Sequence, residues 1–374
     1  MIEKLLEPLP HPYEQRRDRL ASMIEKIGLQ GILVTNPTNV RYLTGFTGDS
    51  TYLLLNSSLT LLISDGRYTQ QLQEECPGVE LYIRPAGQKL PAAAISRLQK
   101  TGWKSIGCEA IHLTIFEFEM YRSGLPAVHW NALGDAVEQL RMIKDESEII
   151  AIQHSIQVAE QSFTRFKQYL RPVDSELALY HRIEMLLRDG GAEQGSFPAI
   201  IAAGPRAALP HAPPTRQIIA EQELLLVDWG ARTDGYVSDL TRTLPLHKNI
   251  TSRLKPIYDA VLVAHEAAAA AIKPGIPGSA IDVAARTEIE ARGLVPYSHG
   301  LGHGIGLDVH EAPQMRLGME TILQPGMVVT IEPGIYLPEW GGVRIEDNYL
   351  ITPGGAQRLS TLPRDFEAME VYWS

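Results

Sequence analysis

Four acidic residues stand in surroundings that make them chemically conspicuous. The run Leu224 to Val227 ends in Asp228, and the run Val328 to Ile331 ends in Glu332. Segments this apolar read as buried strands, and a carboxylate closing one is costly unless cations or donors compensate it. In each case a glycine follows two residues on, Gly230 or Gly334. A turn comes next, Gly235-Tyr236 or Gly341-Gly342, and then a second acid, Asp239 or Glu346. Side chains alternate along a strand, so Val237, Asp239 and Thr241 share one face, and Arg344, Glu346 and Asn348 share another. If the two hairpins lie in one sheet, the four acids converge. Without cations they would repel and some would take up protons, whereas two divalent ions would cancel the four charges. An oxygen-rich set of this kind suits Mn²⁺, Co²⁺ or Zn²⁺ better than soft ions. The likeness of the two segments reads either as a weak internal duplication or as coincidence between two hairpins.

A nitrogen ligand is available nearby. The segment SHGLGHGIGLDVHE holds His299, His303 and His310, three of the eleven histidines of the chain. Gly300, Gly302, Gly304 and Gly306 disfavour a helix, and no glutamate follows His299. The pair His299 and His303 is therefore not the helical zinc motif, and extended or irregular backbone beside a ligand is the expectation. A histidine taken alone is more often a structural hydrogen-bonding group than a ligand. Its coincidence with the four acids is what turns the reading toward a metal.

Together these segments resemble the pita-bread metallopeptidases, in the branch of aminopeptidase P and prolidase, over nearly the whole chain. DWGARTDGYVSDLTRT is similar to the family's aspartate segment, with Asp228 and Asp239 eleven residues apart as in the family. HGLGHGIGLDVHE resembles its histidine segment, with His303 in the ligand position, and IEPGIYLPEWGGVRIEDN its glutamate segment, with Glu332 and Glu346 in ligand positions. LVTNPTNVRYLTGFTG and RMIKDESEIIAIQ resemble, respectively, the small domain that precedes the catalytic domain in this branch and in creatinase, and the entry to the catalytic domain.

The resemblance implies hydrolysis of the bond between an N-terminal residue and a following proline, in a dipeptide or a longer peptide. Two ions, manganese first and cobalt or zinc otherwise, would lie about 3.5 to 4 Å apart and lower the pKa of a shared water. It implies that Asp228 and Asp239 anchor the ions, that Glu346 bridges them, and that His303 completes one shell. Glu332 would both ligate and accept the water's proton, while His310 and His211 hydrogen-bond the peptide or the developing oxyanion. His299, Tyr336 and Arg344 are candidate substrate-binding residues; for Arg344 an ordinary cross-strand ion pair is the alternative, and for Tyr336 a core aromatic. A homodimer is also implied. Two departures from the family pattern, Ala212 after Pro210-His211 and Trp229 beside Asp228, bear on substrate fit. The rivals are a creatinase-like hydrolase without metal and a non-catalytic binding module. Lost ligands would mark the second, the intact ligand set opposes the first, and no ligand is lost.

These residues need a scaffold, and 374 residues are long for one core, so two domains are expected. A helix over 14–27 stopped by Gly28, short strands near 31–34, 51–56, 59–64 and 79–83, and helices near 66–75 and 89–100 form an α/β rhythm that lasts to about residue 135. Long helices over 144–169 and 175–188 follow, then helices at 252–272 and 278–292. Strands are expected at 197–202, 223–229, 235–243, 326–332 and 342–351. The chain thus reads as an α/β creatinase-like N-terminal domain, 1–137, followed by an α+β pita-bread catalytic domain, 138–374. A net charge of −10 opposes binding to nucleic acid or an anionic membrane. Cys76 and Cys108 are too few for a disulfide framework or a thiolate site. The opening MIEKLLEPLPHP is broken by charges and prolines, and no later apolar run approaches the roughly 20 residues that span a bilayer, so a cytoplasmic location is expected.

Overall fold

The computed structural model describes residues 13–246 and 250–372; the N-terminal stretch read above for targeting lies outside them. The chain divides into two compact units, the first ending at Arg141 and the second starting at Met142. The helix Ala136–Arg141 thus stays with the first unit, where buried Arg141 donates from Nη1 to Asn39 Oδ1 at 2.7 Å.

Among its described residues the first unit holds one sheet in the order β4-β3-β2-β1-β5-β6. Its strands are β1 (Gly31–Val34), β2 (Tyr52–Leu55), β3 (Thr60–Ser64), β4 (Glu80–Ile83), β5 (Ser105–Glu109) and β6 (His129–Leu133). β1, β5 and β6 run parallel, whereas β1, β2 and β3 pair antiparallel. GILV and YLLL are buried along their whole length, which is why they read as apolar runs rather than as alternation. Buried Glu109, closing β5, accepts from the Thr35 and Asn36 amides and from Asn39 Nδ2.

The second unit opens with helices Glu146–Gln168 and Glu176–Asp189. Asp145 caps the first in a capping box with Glu148, and Ser175 caps the second. Helices Leu254–Ala271 and Gly278–Glu290 follow later. The strands are β7 (Gln194–Gly195), β8 (Ile200–Ala203), β9 (Leu224–Trp229), β10 (Ala231–Thr233), β11 (Tyr236–Val237), β12 (Leu240–Pro245) and β13 (Gly302–Gly304). They continue with β14 (Glu311–Met315), β15 (Val328–Ile331), β16 (Gly334–Leu337), β17 (Gly341–Arg344), β18 (Asp347–Thr352) and β19 (Gly355–Arg358).

The two segments that read alike fold alike. In each, an outer antiparallel pair, β9 with β12 or β15 with β18, carries an inner pair, β10 with β11 or β16 with β17, as its tip. The returning strands are not continuous as expected over 235–243 and 342–351. Each is interrupted, at Ser238-Asp239 and at Ile345-Glu346, and the second acid of each hairpin sits in the gap. At the second place alternation runs on through Val343, Arg344, Ile345 and Glu346 and hides the break, whereas at the first the adjacent polar residues Ser238 and Asp239 interrupt it. Nor do the hairpins share one sheet. β9 and β12 join β8, while β15 and β18 join β13, β14 and β19; among the described residues a single bridge, Thr241↔Glu346, connects them.

Trp229 is fully buried. It stacks on Phe163 at 4.1 Å between centroids and donates from Nε1 to Ala159 O at 3.0 Å, which makes it a core residue against the first long helix rather than part of a substrate surface.

Candidate metal centre

Each candidate ligand sits where a strand ends, breaks or is wedged. Asp228 lies near the end of β9, Glu332 follows β15, and Asp239 and Glu346 occupy the two gaps. His303 is the middle residue of β13, between β14 and β15. A Cβ on Gly302 would stand 2.1 Å from Thr330 O, and one on Gly304 2.2 Å from Ala312 O. The glycines that argue against a helix are therefore what a strand squeezed between two neighbours requires.

Asp239, His303 and Glu346 each offer a ligand atom within 4.8 Å of the others. His303 Nε2 lies 3.5 Å from both Asp239 Oδ2 and Glu332 Oε1. Asp228 Oδ2 accepts from Arg344 Nη2 at 2.5 Å, and Glu346 Oε2 accepts from Thr241 Oγ1 at 2.7 Å. The other oxygens of these two acids, Asp228 Oδ1 and Glu346 Oε1, are buried without a hydrogen-bond partner. Such orphans are rare because each forfeits its hydration.

Electrostatics point the same way. Burial raises the pKa of all four carboxyls. Asp239 is raised further by the charges of Asp228 and Glu332, and Glu346 by those of Asp239, Glu332 and Asp228. Glu332 is pushed up to about 8 by burial, against the pull of Arg344 and with the charge of Asp228 adding. Burial, with His310 beside it, holds His303 down to about 4, so its imidazole is neutral at pH 7. Its Nδ1 meets Gly304 O at 3.1 Å. A carbonyl can only accept, so the ring proton is assigned to Nδ1, and the Nε2 lone pair faces the carboxylate oxygens. Lone pairs opposed in this way need an electron-pair acceptor between them, and a neutral imidazole braced through its other nitrogen is the usual form of a ligating histidine. The donor set therefore fits divalent cations.

Around this cluster Arg344 ties both hairpins together. Besides Asp228 it donates to Tyr336 Oη at 2.8 Å and to Thr241 Oγ1 at 3.1 Å. Its ion pair thus reaches the opposite hairpin rather than its own neighbouring strand, and Tyr336 is a hydrogen-bonded aromatic. His299 has both nitrogens engaged, with Tyr336 Oη at 2.9 Å and Gly300 O at 2.7 Å, and burial lowers it to about 4. His310 is exposed, its ring 4.3 Å from that of His303 and tilted edge-on. His211 is exposed and near enough for its charge to act on Asp228 and His310.

Two features escape a reading by residue type. Thr241, on the expected face with Asp239, uses its hydroxyl to join Glu346 to Arg344. Lys144, from the segment that enters this unit, buries its ammonium 3.2 Å from Glu311 Oε2, next to His310. The first had a signal in strand alternation; the second had none.

Residues 151–353 match the model of metallopeptidase family M24, and residues 16–143 match that of the creatinase/prolidase N-terminal domain. The chain belongs to metallopeptidase family M24. Similarity to other M24 proteins extends over almost its full length. An uncharacterized peptidase of Bacillus subtilis is 36% identical over 349 residues, which cover 93% of this chain and 98% of that protein. The structure of an Xaa-Pro dipeptidase from Bacillus anthracis matches with a TM-score of 0.90 at 34% identity, covering 94% of this chain and 99% of that one. An X-Pro aminopeptidase from Thermotoga maritima matches at 0.86 with 31% identity, covering 93% and 99%. The expected fold, an α/β N-terminal domain before an α+β pita-bread catalytic domain, is the fold of this M24 metallopeptidase, and the protein is a peptidase. No helix among the described residues is long and apolar enough to cross a membrane.

Proposed function

We propose that this protein is a metal-dependent Xaa-Pro peptidase, hydrolysing the bond between an N-terminal residue and a following proline. The observation that carries the metal is the meeting of a neutral His303 lone pair with buried carboxylate oxygens, two of them orphaned. Asp228, Asp239, His303, Glu332 and Glu346 would hold two divalent ions, manganese first and cobalt or zinc otherwise. Such ions supply Lewis acidity toward water and the scissile carbonyl.

The chain's own residues do the rest. Glu332, the most exposed of the four acids, accepts the proton of the attacking water at its carboxylate. His310 and His211, exposed beside the cluster, donate hydrogen bonds to the peptide or to the developing oxyanion. Arg344 fixes Asp228 and Tyr336, and Tyr336 with His299 forms the adjoining substrate-binding wall. Proline in the second position is supported by the named relatives, an Xaa-Pro dipeptidase and an X-Pro aminopeptidase. These two names leave both a dipeptide and a longer peptide as substrates. A cytoplasmic homodimer completes the proposal.

Metal counting by mass spectrometry, chelation and a cleavage panel test it. The expected outcome is up to two ions per chain, loss of activity on chelation, and cleavage of Xaa-Pro and Gly-Pro-X peptides far faster than their alanine counterparts. Full activity after exhaustive chelation would remove the metal from the proposal. Equal rates on proline and alanine peptides would remove the specificity and leave the metallopeptidase.

A further inference from the structure

The seam between the two hairpins, where the acids meet, has one backbone bridge among the described residues. Glu346 N donates to Thr241 O at 3.1 Å. A ladder continued in that antiparallel register would pair Asp239 with Asn348 on one side and Thr243 with Arg344 on the other. Side chains take over at both places. Asn348 Oδ1 accepts from Asp239 N at 3.4 Å, and Asn348 Nδ2 donates to Asp239 O. On the far side Thr243 Oγ1 donates to Arg344 O and accepts from Arg344 N, both at 3.1 Å.

Interposed side chains hold two backbones farther apart than the roughly 4.8 Å of a regular ladder, so the strands splay from the bridge in both directions. Asp239 is where this matters. It lies in the gap between β11 and β12, and its peptide N–H and C=O fall outside the pairing of both strands. The fully buried amide of Asn348 satisfies them.

We infer that Asn348 is a positioning residue for the metal centre, its amide standing in for the missing strand neighbour of Asp239 and setting that carboxylate opposite His303 and Glu346. The inference rests on the reading of these acids as metal ligands. A purely structural role would make Asn348 matter for folding and leave ion affinity alone.

Calorimetric titration of the metal-free protein with Mn²⁺, and melting temperature on the same preparations, separate the two for Asn348→Ala, Asn348→Leu and the control Ile351→Ala. Ile351 is a buried core residue of the same strand. Both Asn348 variants should bind Mn²⁺ about 10- to 100-fold more weakly, the scale of losing a residue that orients a ligand. Leucine keeps the volume and should recover melting temperature relative to alanine without recovering affinity. Ile351→Ala should lower the melting temperature and keep its affinity. Affinity within about twofold of the unaltered chain in Asn348→Leu would overturn the inference, as would a loss in Ile351→Ala that tracks its loss of stability. If the unaltered chain binds no Mn²⁺, the metal reading fails and this inference with it; if it binds and the Asn348 variants bind equally, only the positioning role falls.

Discussion

At the scale of single residues, the centre is built from groups whose neighbours decide their chemistry. His303 is neutral because burial disfavours the imidazolium, and its free lone pair points at carboxylates because Gly304 O holds the other nitrogen. His310, exposed at its side, has no such brace among the described hydrogen bonds. The two kinds of residue should therefore separate on substitution. Asp239→Asn removes one negative charge from the cluster, so bound metal and activity should fall together, read by metal stoichiometry and turnover on one preparation. His310→Ala should keep its metal and lose about 10² to 10³ in kcat, the scale of deleting one transition-state donor. If His310 only packs its loop, the melting temperature falls instead and kcat in the folded fraction stays near normal.

Secondary elements supply the geometry by failing to be regular. Both returning strands break at their second acid; the Asp239 backbone is left to the Asn348 amide, and the Glu346 amide donates across to Thr241 O. The loop after β13 is held by the Lys144–Glu311 pair, whose side chains are 0% and 7% exposed. Removing Lys144 takes its cation from the buried Glu311 carboxylate, which keeps the Asp308 amide at Oε1. Lys144→Met should therefore destabilise by about 3 to 5 kcal/mol in urea unfolding, and Lys144→Met combined with Glu311→Gln should recover most of that loss. A single-variant loss below about 1 kcal/mol would show that the pair is open to water.

For the molecule as a whole, stability in acid should follow the buried histidines. His265, on the helix Leu254–Ala271, is fully buried, and burial lowers it to about 3, the nearby Asp347 raising it and Arg364 and Arg242 lowering it. An unfolded histidine titrates near 6.5. Between these values the unfolded chain holds a proton that the folded chain refuses, so this contribution is intact above about pH 6.5 and is lost as pH falls toward 3. From this group alone the unfolding free energy should drop by about 2 kcal/mol between pH 7 and pH 5. The drop should shrink by that amount in His265→Gln, measured by urea unfolding at the two values. An unchanged pH dependence in the variant would place the titration elsewhere.

By itself the sequence determined the family, singled out the four acids and His303 as candidate ligands, and placed many of the elements, though not the helices Pro37–Thr44 and Ile115–Gly124 or the strands β5, β6, β13, β14 and β19. Strand ends, apolar runs and the glycines around His303 are local signals, carried by the period of the side chains and by what a tight backbone tolerates. Only the tertiary structure decided where the returning strands break, that the hairpins meet through one bridge, and that Trp229 belongs to the core. It also decided which neutral side chains matter. Arg344 and Asp228 are 116 residues apart, and Asn348 and Asp239 are 109. A threonine or asparagine on a strand carries no sign of whether its polar atoms will meet solvent or a distant backbone. That is fixed when two separately folded hairpins pack, because burial obliges each polar group to find whatever partner the packing brings.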